Sequence, residues 1–157
     1  MTTKEDTVIE APPGTPFMET RREFDAAPEG VFRAFTDPEL VKQWLGPRRL
    51  TIRIEEFDAR AGGTYRYFHT DVDGKEFGFR GVFHDVQEPR LLIQTFEFDG
   101  APDQVSLDTT WFEDLGGRTR LVQRSVFLSV EARDMALATG MESGIVESME
   151  RLDELLR

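Results

Sequence analysis

The 157-residue sequence contains no cysteine and only two histidines, His69 and His84. Without cysteine, disulfide bonds, thiol nucleophiles and thiolate metal sites are all excluded. A pair of histidines does not predict a multi-histidine metal site either. The sequence therefore predicts neither a bound metal nor a cofactor.

Long apolar runs are missing as well. No stretch approaches the length that spans a membrane, and the N-terminus lacks the apolar core of a signal peptide, so we expect a cytoplasmic protein. Basic residues are the minority: 19 Lys and Arg stand against 30 Asp and Glu, for a formal net charge of -11. Because nucleic acids and anionic membranes both require a basic surface, neither is expected as a partner.

The chain has the length of one domain with a substantial core. Its beginning is polar and carries several prolines within residues 11–16. This composition predicts a loose N-terminal tail over residues 1–17 and a single folded domain over residues 18–157.

The middle of the chain changes its hydrophobic period from helical to alternating. A first strand is expected over 20–25. A helix follows with Pro28 at its first position, and a second short helix starts with Asp37 as its cap and Pro38 at its first position. From residue 50 onward, alternation between turn signals predicts six antiparallel strands. These strands are expected over 50–59, 64–70, 76–86, 91–99, 105–113 and 118–128.

The last stretch, 129–157, has the strongest helical pattern. Apolar residues recur at steps of three and four, which places them on one helix face. They are Met141, Ile145, Met149, Leu152 and Leu156. The order of strand, two short helices, six strands and long helix predicts an α+β helix-grip fold, in which a curved antiparallel sheet wraps around the C-terminal helix.

Two local features mark this helix. Thr139 and Glu142 have the spacing of a capping box, and Ser129 followed by Glu131 predicts a shorter helical piece over about 130–138. Beside the apolar stripe runs a row of small residues: Gly140, Gly144 and Ser148. Such a row lets a ligand, or equally an aromatic side chain of the sheet, approach the helix closely.

The strand registers decide which side chains face the helix. On the last strand, Gln123 and Ser125 are out of phase with the arginines and are expected inside. Pairing of Phe112 with Thr119 would bring in Asp108, Thr110 and Phe112, whereas a slip of one residue would bring in Leu107, Thr109 and Trp111. At the turn formed by Asp73 and Gly74, a three-residue loop places Tyr65, Tyr67 and His69 beside Phe77, Phe79 and Gly81. A two-residue loop substitutes Arg66 and Phe68.

An inward position of Asp108, Thr110, Gln123 and Ser125 would be informative. A dry core does not favour these residues, because each buried polar atom needs a hydrogen-bond partner. A wet cavity tolerates them. In the alternative register the same side chains are solvated.

Several ordered segments of the chain resemble one known family. They are Asp25-Ala26-Ala27-Pro28-x-x-Val31-Phe32, Val41-x-x-Trp44-Leu45-Gly46-Pro47, Ala61-Gly62-Gly63-x-Tyr65-x-Tyr67, Asp73-Gly74-Lys75, Gly81-Val82-Phe83-x-Asp85-Val86, Gly116-Gly117-x-Thr119-x-Leu121 and Gly140-Met141-x-x-Gly144. Over about residues 18–157 the sequence is similar to the activator of heat-shock-protein-ninety ATPase homologue family. That family lies within the START and birch-pollen-allergen-like helix-grip (SRPBCC) superfamily.

The resemblance implies a deep cavity between sheet and helix that holds hydrophobic small molecules. Relatives include polyketide cyclases, lipid carriers and hormone sensors. The eukaryotic namesake contacts a chaperone but carries an additional N-terminal domain, for which this chain has no room, so chaperone activation is not expected here. Many relatives have a tryptophan where this chain has Met141, which changes the roof of the cavity.

We expect a set of ligand-binding residues and no catalytic or metal-binding ones. The candidates are Trp44, Tyr65, Tyr67, His69, Phe79, Phe83, Phe96, Thr110, Gln123, Met141, Gly144 and Ile145. The competing interpretation is that the aromatic residues fill the core, with Trp44 as a plug between helix and sheet rather than a gate.

Three hypotheses for function follow. The first is non-enzymatic binding of a small hydrophobic or aromatic molecule. The second is a cyclase- or hydrolase-like enzyme in the same cavity, which would need an acid–base pair such as His69 with Asp108. The third is a protein-interaction module, either a chaperone cofactor or a homodimer, that uses the exposed sheet face or an edge strand.

Overall fold

The computed structural model describes residues 6–157. Within this range the chain forms eight strands and four helices. The elements are β1 (Val8–Glu10), β2 (Phe17–Phe24), α1 (Pro28–Thr36), α2 (Pro38–Val41), β3 (Thr51–Phe57), β4 (Thr64–Thr70), β5 (Glu76–Gln87), β6 (Leu91–Phe98), β7 (Ser106–Asp114), β8 (Thr119–Val126), α3 (Val130–Ala138) and α4 (Met141–Leu156).

All the strands belong to one antiparallel sheet in the order β1-β2-β8-β7-β6-β5-β4-β3. The two short helices connect β2 to β3, which lie toward opposite edges of the sheet. The sheet curves around the C-terminal helix, so the predicted α+β helix-grip fold is confirmed.

The beginning of the chain differs from the tail predicted over residues 1–17. Val8–Glu10 pair with β2, whereas residues 1–5 lie outside the described range. The buried guanidinium of Arg133 in α3 explains part of this order, because its Nη1 donates to the carbonyl oxygens of Pro12 (2.9 Å) and Phe17 (3.1 Å). Within this range, strand pairing and hydrogen bonds therefore replace the expected loose tail.

The helix boundaries confirm two predicted caps and correct a third. Asp37 accepts a hydrogen bond from the Glu39 amide at the start of α2, and Ser129 accepts one from the Ala132 amide at the start of α3. The capping box predicted at Thr139 is wrong: Thr139 ends α3, and its hydroxyl donates to the Ala136 carbonyl.

Gly140 separates α3 from α4. It adopts the left-handed conformation, with a φ of 80°, and α4 begins at Met141 without a side-chain cap. A side chain at Gly140 would be strained in this conformation, which explains why glycine stands at the corner between the two helices.

The structure selects between the alternative registers. Tyr65, Tyr67 and His69 pair with Gly81, Phe79 and Phe77, as the longer loop at 73–74 predicts. Asp108, Thr110 and Phe112 pair with Ser125, Gln123 and Leu121. Phe112 therefore does not pair with Thr119, but the shift is two residues, so the predicted inward side chains remain inward.

The interior contains two apolar clusters. The larger joins α1 and α4 to the sheet around Leu92, Phe112, Leu121 and Leu152. The smaller consists of Tyr65, Tyr67 and Phe83, with further aromatic residues packed around them. Burial of one such leucine or phenylalanine side chain contributes about 1.5–3 kcal/mol. The C-terminal half of α4 is therefore held mainly by the larger cluster.

The segment 43–48 between α2 and β3 is fastened to α4 by hydrogen bonds. The Gly46 amide donates to Ser148 Oγ at 2.8 Å, and Arg151 Nη1 donates to the Gly46 carbonyl at 2.8 Å. The Arg48 amide donates to Glu147 Oε1 at 2.9 Å. Two of the small residues lie against this segment, because Ser148 binds Gly46 and a Cβ at Gly144 would meet Pro47 at 3.8 Å, whereas Gly140 has open space around it.

This contact predicts opposite effects for two glycine substitutions in one helix. Gly144→Ala should raise the free energy of unfolding by about 0.5–1 kcal/mol, because alanine is the better helix former and its Cβ makes an ordinary contact. Gly140→Ala is the matched control and should lower it by about 1–2 kcal/mol, because its φ is positive. Chemical denaturation measures both. A destabilising Gly144→Ala would show that close packing at Gly144 matters.

Candidate functional site

An aromatic wall covers the side of the sheet that faces the C-terminal helix. It consists of Tyr65 and Tyr67 on β4, Phe79 and Phe83 on β5, and Phe96 on β6. The ring centroids of Tyr67 and Phe79 lie 5.2 Å apart and those of Phe79 and Phe96 lie 5.5 Å apart, both in stacked geometry. Phe83 is fully buried, whereas Phe79 and Phe96 keep part of their surface accessible. Five of the predicted ligand-binding residues are thus brought together.

Gly81 makes room for one tyrosine of this wall. A Cβ on Gly81 would lie 2.5 Å from the Tyr65 ring and hydroxyl. The ring therefore crosses the strand, and the Tyr65 hydroxyl donates to the Thr95 carbonyl at 2.6 Å. Burial raises the pKa of Tyr65, so the phenol stays neutral.

The hydroxyl of Tyr67 is in a different situation. Although Tyr67 is only 6% exposed, its hydroxyl makes no hydrogen bond with the described part of the chain. The polar side-chain atoms that are both enclosed and unpaired within residues 6–157 are Arg22 Nε and Arg118 Nη2. The Tyr67 hydroxyl is less completely enclosed than these two atoms, and it has no partner within residues 6–157.

A polar patch lies directly beside the aromatic wall. It consists of Ser106, Asp108 and Thr110 on β7 with Gln123 and Ser125 on β8. Gln123 Nε2 donates to Thr110 Oγ1 at 3.1 Å, and the Ser106 hydroxyl donates to Asp108 Oδ1 at 3.1 Å. Thr110 is fully buried, while Asp108, Gln123 and Ser125 are partly accessible.

The patch and the wall share one surface, because Ser106 pairs with Phe96 across β7 and β6. Asp108 pairs with Gln94 in the same ladder. The concave face therefore combines flat apolar rings with hydroxyl, amide and carboxyl groups.

Asp108 carries the acidic group of this face. Burial raises its pKa to about 6 from an ordinary value of 3.8, although hydrogen bonds from Ser125 and Ser106 favour the charged form. Among the described residues no basic side chain forms a salt bridge with this carboxyl. Its charge also raises the pKa of Tyr65 and Tyr67, which places it within electrostatic reach of both phenols.

His69 lies at the end of the aromatic wall and away from Asp108. Its Nδ1 is 3.4 Å from the Thr51 carbonyl oxygen, its ring lies under Gly46, and burial lowers its pKa. Asp108 is not among the groups that hydrogen-bond to His69 or shift its pKa. The acid–base pair considered from the sequence, His69 with Asp108, is therefore not formed.

The remaining predicted residues occupy other surroundings. Trp44 is buried in the larger apolar cluster, and its Nε1 donates to the Ala34 carbonyl at 2.8 Å, as expected of a plug. Ile145 packs against that same cluster. Met141 and Gly144 are half-buried on the first turns of α4, with Pro47 next to Gly144.

Two residues of the face were missed from the sequence. Ser106 continues the alternation of Asp108 and Thr110 by one further step, and Gln94 stands in phase between Leu92 and Phe96. The period of two would have indicated both residues once the inward phase of these strands was known.

A separate surface groove has a volume of about 420 Å³. It is lined by residues 28–29, 89–90 and 111–114, where α1 begins beside β6 and β7. None of the predicted ligand-binding residues lines it. Its walls carry exposed charged side chains at the rim of the sheet, so we place the candidate site on the concave face instead.

Residues 6–157 contain no cluster of three or more His, Asp or Glu side chains that could hold a metal ion. None of the helices in this range combines the length and apolar character needed to cross a bilayer.

The chain is similar to known proteins in sequence and in fold. Residues 25–157 match the family described as Activator of Hsp90 ATPase homolog 1-like protein. None of the curated proteins compared with it matches the chain.

Solved structures from three bacteria share the fold. A Rhodobacter sphaeroides protein is 29% identical, with a TM-score of 0.85 over 93% of this chain and 95% of its own. An Arthrobacter aurescens protein is 26% identical, with a TM-score of 0.88 over 95% and 90%. A Mycobacterium smegmatis protein at 23% identity shows the fold alone, with a TM-score of 0.87 over 96% and 97%.

The raised pKa of Asp108 predicts how stability depends on pH. The folded state holds a proton more tightly than the unfolded state, so the Asp108 contribution is most favourable below about pH 4 and is lost as pH rises toward and past 6. Because asparagine cannot ionise, Asp108→Asn avoids this loss of stability at high pH. It should raise the free energy of unfolding by about 1–3 kcal/mol at pH 8 and by less at pH 5.

Urea denaturation of the variant and the wild type at the two pH values measures this difference. Asp73→Asn, in the exposed turn between β4 and β5, is the control, because it removes the same charge from the surface. Equal effects of the two substitutions at both pH values would contradict the prediction.

Proposed function

This chain belongs to the Activator of Hsp90 ATPase homolog 1-like family, and from that membership we propose that it binds a small hydrophobic or aromatic molecule without converting it. The ligand lies between the concave face of the sheet and the C-terminal helix. The family has a fold typical of hydrophobic-ligand binding, which supports this proposal.

The observation that carries the proposal is the unpaired hydroxyl of Tyr67 in the aromatic wall, within electrostatic reach of Asp108 in the polar patch. A core that only stabilises a fold pairs its buried polar groups or excludes them. Here the phenol of Tyr67 lacks a partner within residues 6–157, and the Gln123 and Asp108 side chains keep accessible surface on the same concave face. Ligand pockets typically combine apolar walls with a few convergent polar groups in this way.

The proposed site uses part of the set that the sequence predicts. Tyr67, Phe79 and Phe96 contact the apolar body of the ligand, and Gln123 offers an amide. Met141 at the start of α4 closes the roof. Trp44 and Phe83 support the site from the packed interior, because neither retains a free polar group or an open face.

An enzyme in the same cavity is the second candidate. Asp108, with its pKa raised toward neutrality, is the observation that favours it, since a general acid or base works best near the ambient pH. No second titratable group pairs with Asp108 within residues 6–157, so binding is the better-supported function. Cytoplasmic location stays a prediction, and a homodimer and a chaperone cofactor stay the two forms of the protein-interaction hypothesis.

Binding of a neutral aromatic probe tests the proposal. 1-Naphthalenemethanol should bind saturably in isothermal titration calorimetry and should raise the melting temperature, because it binds only the folded state. Ser125→Trp fills the concave face and should abolish binding. Val126→Trp is the matched control on the outer side of the same strand, where the side chain is 40% exposed, and it should retain binding.

Circular dichroism and the cooperativity of unfolding verify that both variants are folded. Absence of saturable binding to the wild type contradicts the proposal. Undiminished binding to a folded Ser125→Trp variant places the probe elsewhere on the protein and contradicts it as well.

A further inference from the structure

Asp108 occupies the middle of the concave face. Its strand, β7, has three strands on one side and four on the other. Its neighbours in the ladders are Ser125 and Gln94, both on the inward side. The carboxyl therefore points into the space that the proposed ligand would occupy, and away from bulk solvent around the sheet.

The Asp108 carboxyl accepts hydrogen bonds from hydroxyl groups, and no basic side chain of residues 6–157 forms a salt bridge with it. Ser106 donates to Oδ1 at 3.1 Å, and Ser125 donates as well. The buried basic side chains of the described chain are engaged elsewhere: Arg22 of β2 approaches Asp153 of α4 at 3.6 Å, and Arg133 of α3 pairs with Asp134. Along the sheet, the titratable groups whose pKa the Asp108 charge raises are the phenols Tyr65 and Tyr67 of β4.

An enclosed carboxylate without a counter-ion destabilises a protein. An asparagine at position 108 would have nearly the same shape and would avoid this loss of stability. Residues that lower stability without serving the fold are typical of functional sites, where the missing partner is supplied by a ligand. The group that complements a carboxylate best is a hydrogen-bonding cation.

The surroundings of Asp108 also suit a cation. Phenol and phenyl rings present a negative electrostatic face to a positive charge, and Tyr67 stacks on Phe79 beside the patch. The unpaired Tyr67 hydroxyl can accept a hydrogen bond from an N–H group. An anionic ligand would meet the opposite conditions here, and it would approach a chain of net charge -11.

We propose that the ligand is a cationic amphiphile, an aromatic or aliphatic body that bears an ammonium group, and that its N–H groups bind the carboxylate of Asp108 and the hydroxyl of Tyr67. This inference rests on the proposed function, because it names the chemical class that the same concave face selects. The apolar body lies along the aromatic wall, and the ammonium lies over the polar patch.

Three probes with one apolar body test this selectivity by calorimetry at pH 7.5. They are 1-naphthylmethylamine, which is cationic, 1-naphthalenemethanol, which is neutral, and 1-naphthoic acid, which is anionic. The amine should bind at least about tenfold more tightly than the alcohol, and the acid should bind most weakly. On lowering the pH to 5, affinity for the amine should fall while affinity for the alcohol should not, because Asp108 becomes protonated.

Asp108→Asn removes the negative charge of the site and leaves its shape nearly unchanged. This variant should lose about tenfold or more of its affinity for the amine and keep its affinity for the alcohol within about twofold to threefold. Tyr67→Phe should weaken binding of the amine by a smaller factor, because it removes one hydrogen-bond acceptor and leaves the aromatic ring in place. Asp73→Asn, on the exposed turn, should bind all three probes as the wild type does.

The outcomes distinguish the two proposals. The ammonium proposal is overturned if the alcohol binds and the affinity for the amine is no higher. It is also overturned if Asp108→Asn binds the amine with undiminished affinity. In both cases the proposed binding function stands. If none of the probes binds the folded wild type, both are overturned. Retained alcohol binding in Asp108→Asn also shows that this variant is folded.

Discussion

The antiparallel pairing of β8 with β2 is the long-range constraint on which the concave face depends. It joins strands from the two ends of the chain through eight residue pairs, from Phe17 with Val126 to Phe24 with Thr119. Thr119 also donates to the Ala26 carbonyl at 2.7 Å, which anchors the chain just before α1. Because β2 is held here while β3 lies at the far edge, α1 and α2 must cross one end of the sheet. The helices that follow β8 must then cover its concave side.

The surface enclosed in this way has two chemically distinct halves. The strands β4 to β6 contribute stacked rings, of which Tyr65 also donates a hydrogen bond to the Thr95 carbonyl. The strands β7 and β8 contribute serine, threonine, glutamine and aspartate side chains, which are satisfied only in part by one another. Apolar burial around Leu121 and Leu152 supplies stability at the other end of the sheet. The fold therefore tolerates on its concave face a carboxyl that forms no salt bridge within residues 6–157.

Most of the fold was predictable from the sequence, because proline positions, caps at Asp37 and Ser129, and changes of period mark the elements directly. The inward phase of the strands was not, since it depends on how the turns at 73–74 and 116–117 close. The false capping box at Thr139 has a similar cause: Gly140 adopts a left-handed conformation, which the local pattern does not encode. The prediction of the site depends on the same strand phases. Its aromatic wall follows from the phase of β4 and β5, but the packing of Trp44 inside the larger cluster follows from how α2 meets α1.

The two halves of α4 are attached to the protein by different means. Its C-terminal half buries Met149 and Leu152 and is fastened through Ser148 and Arg151 to the segment 43–48. Its first two turns start from an uncapped Gly140 and remain half-exposed. Local opening therefore requires less free energy at the start of the helix than at its end, and protection of its amides against hydrogen exchange should rise along its length. The start of the helix can therefore fray by two turns while the sheet and the larger apolar cluster stay folded.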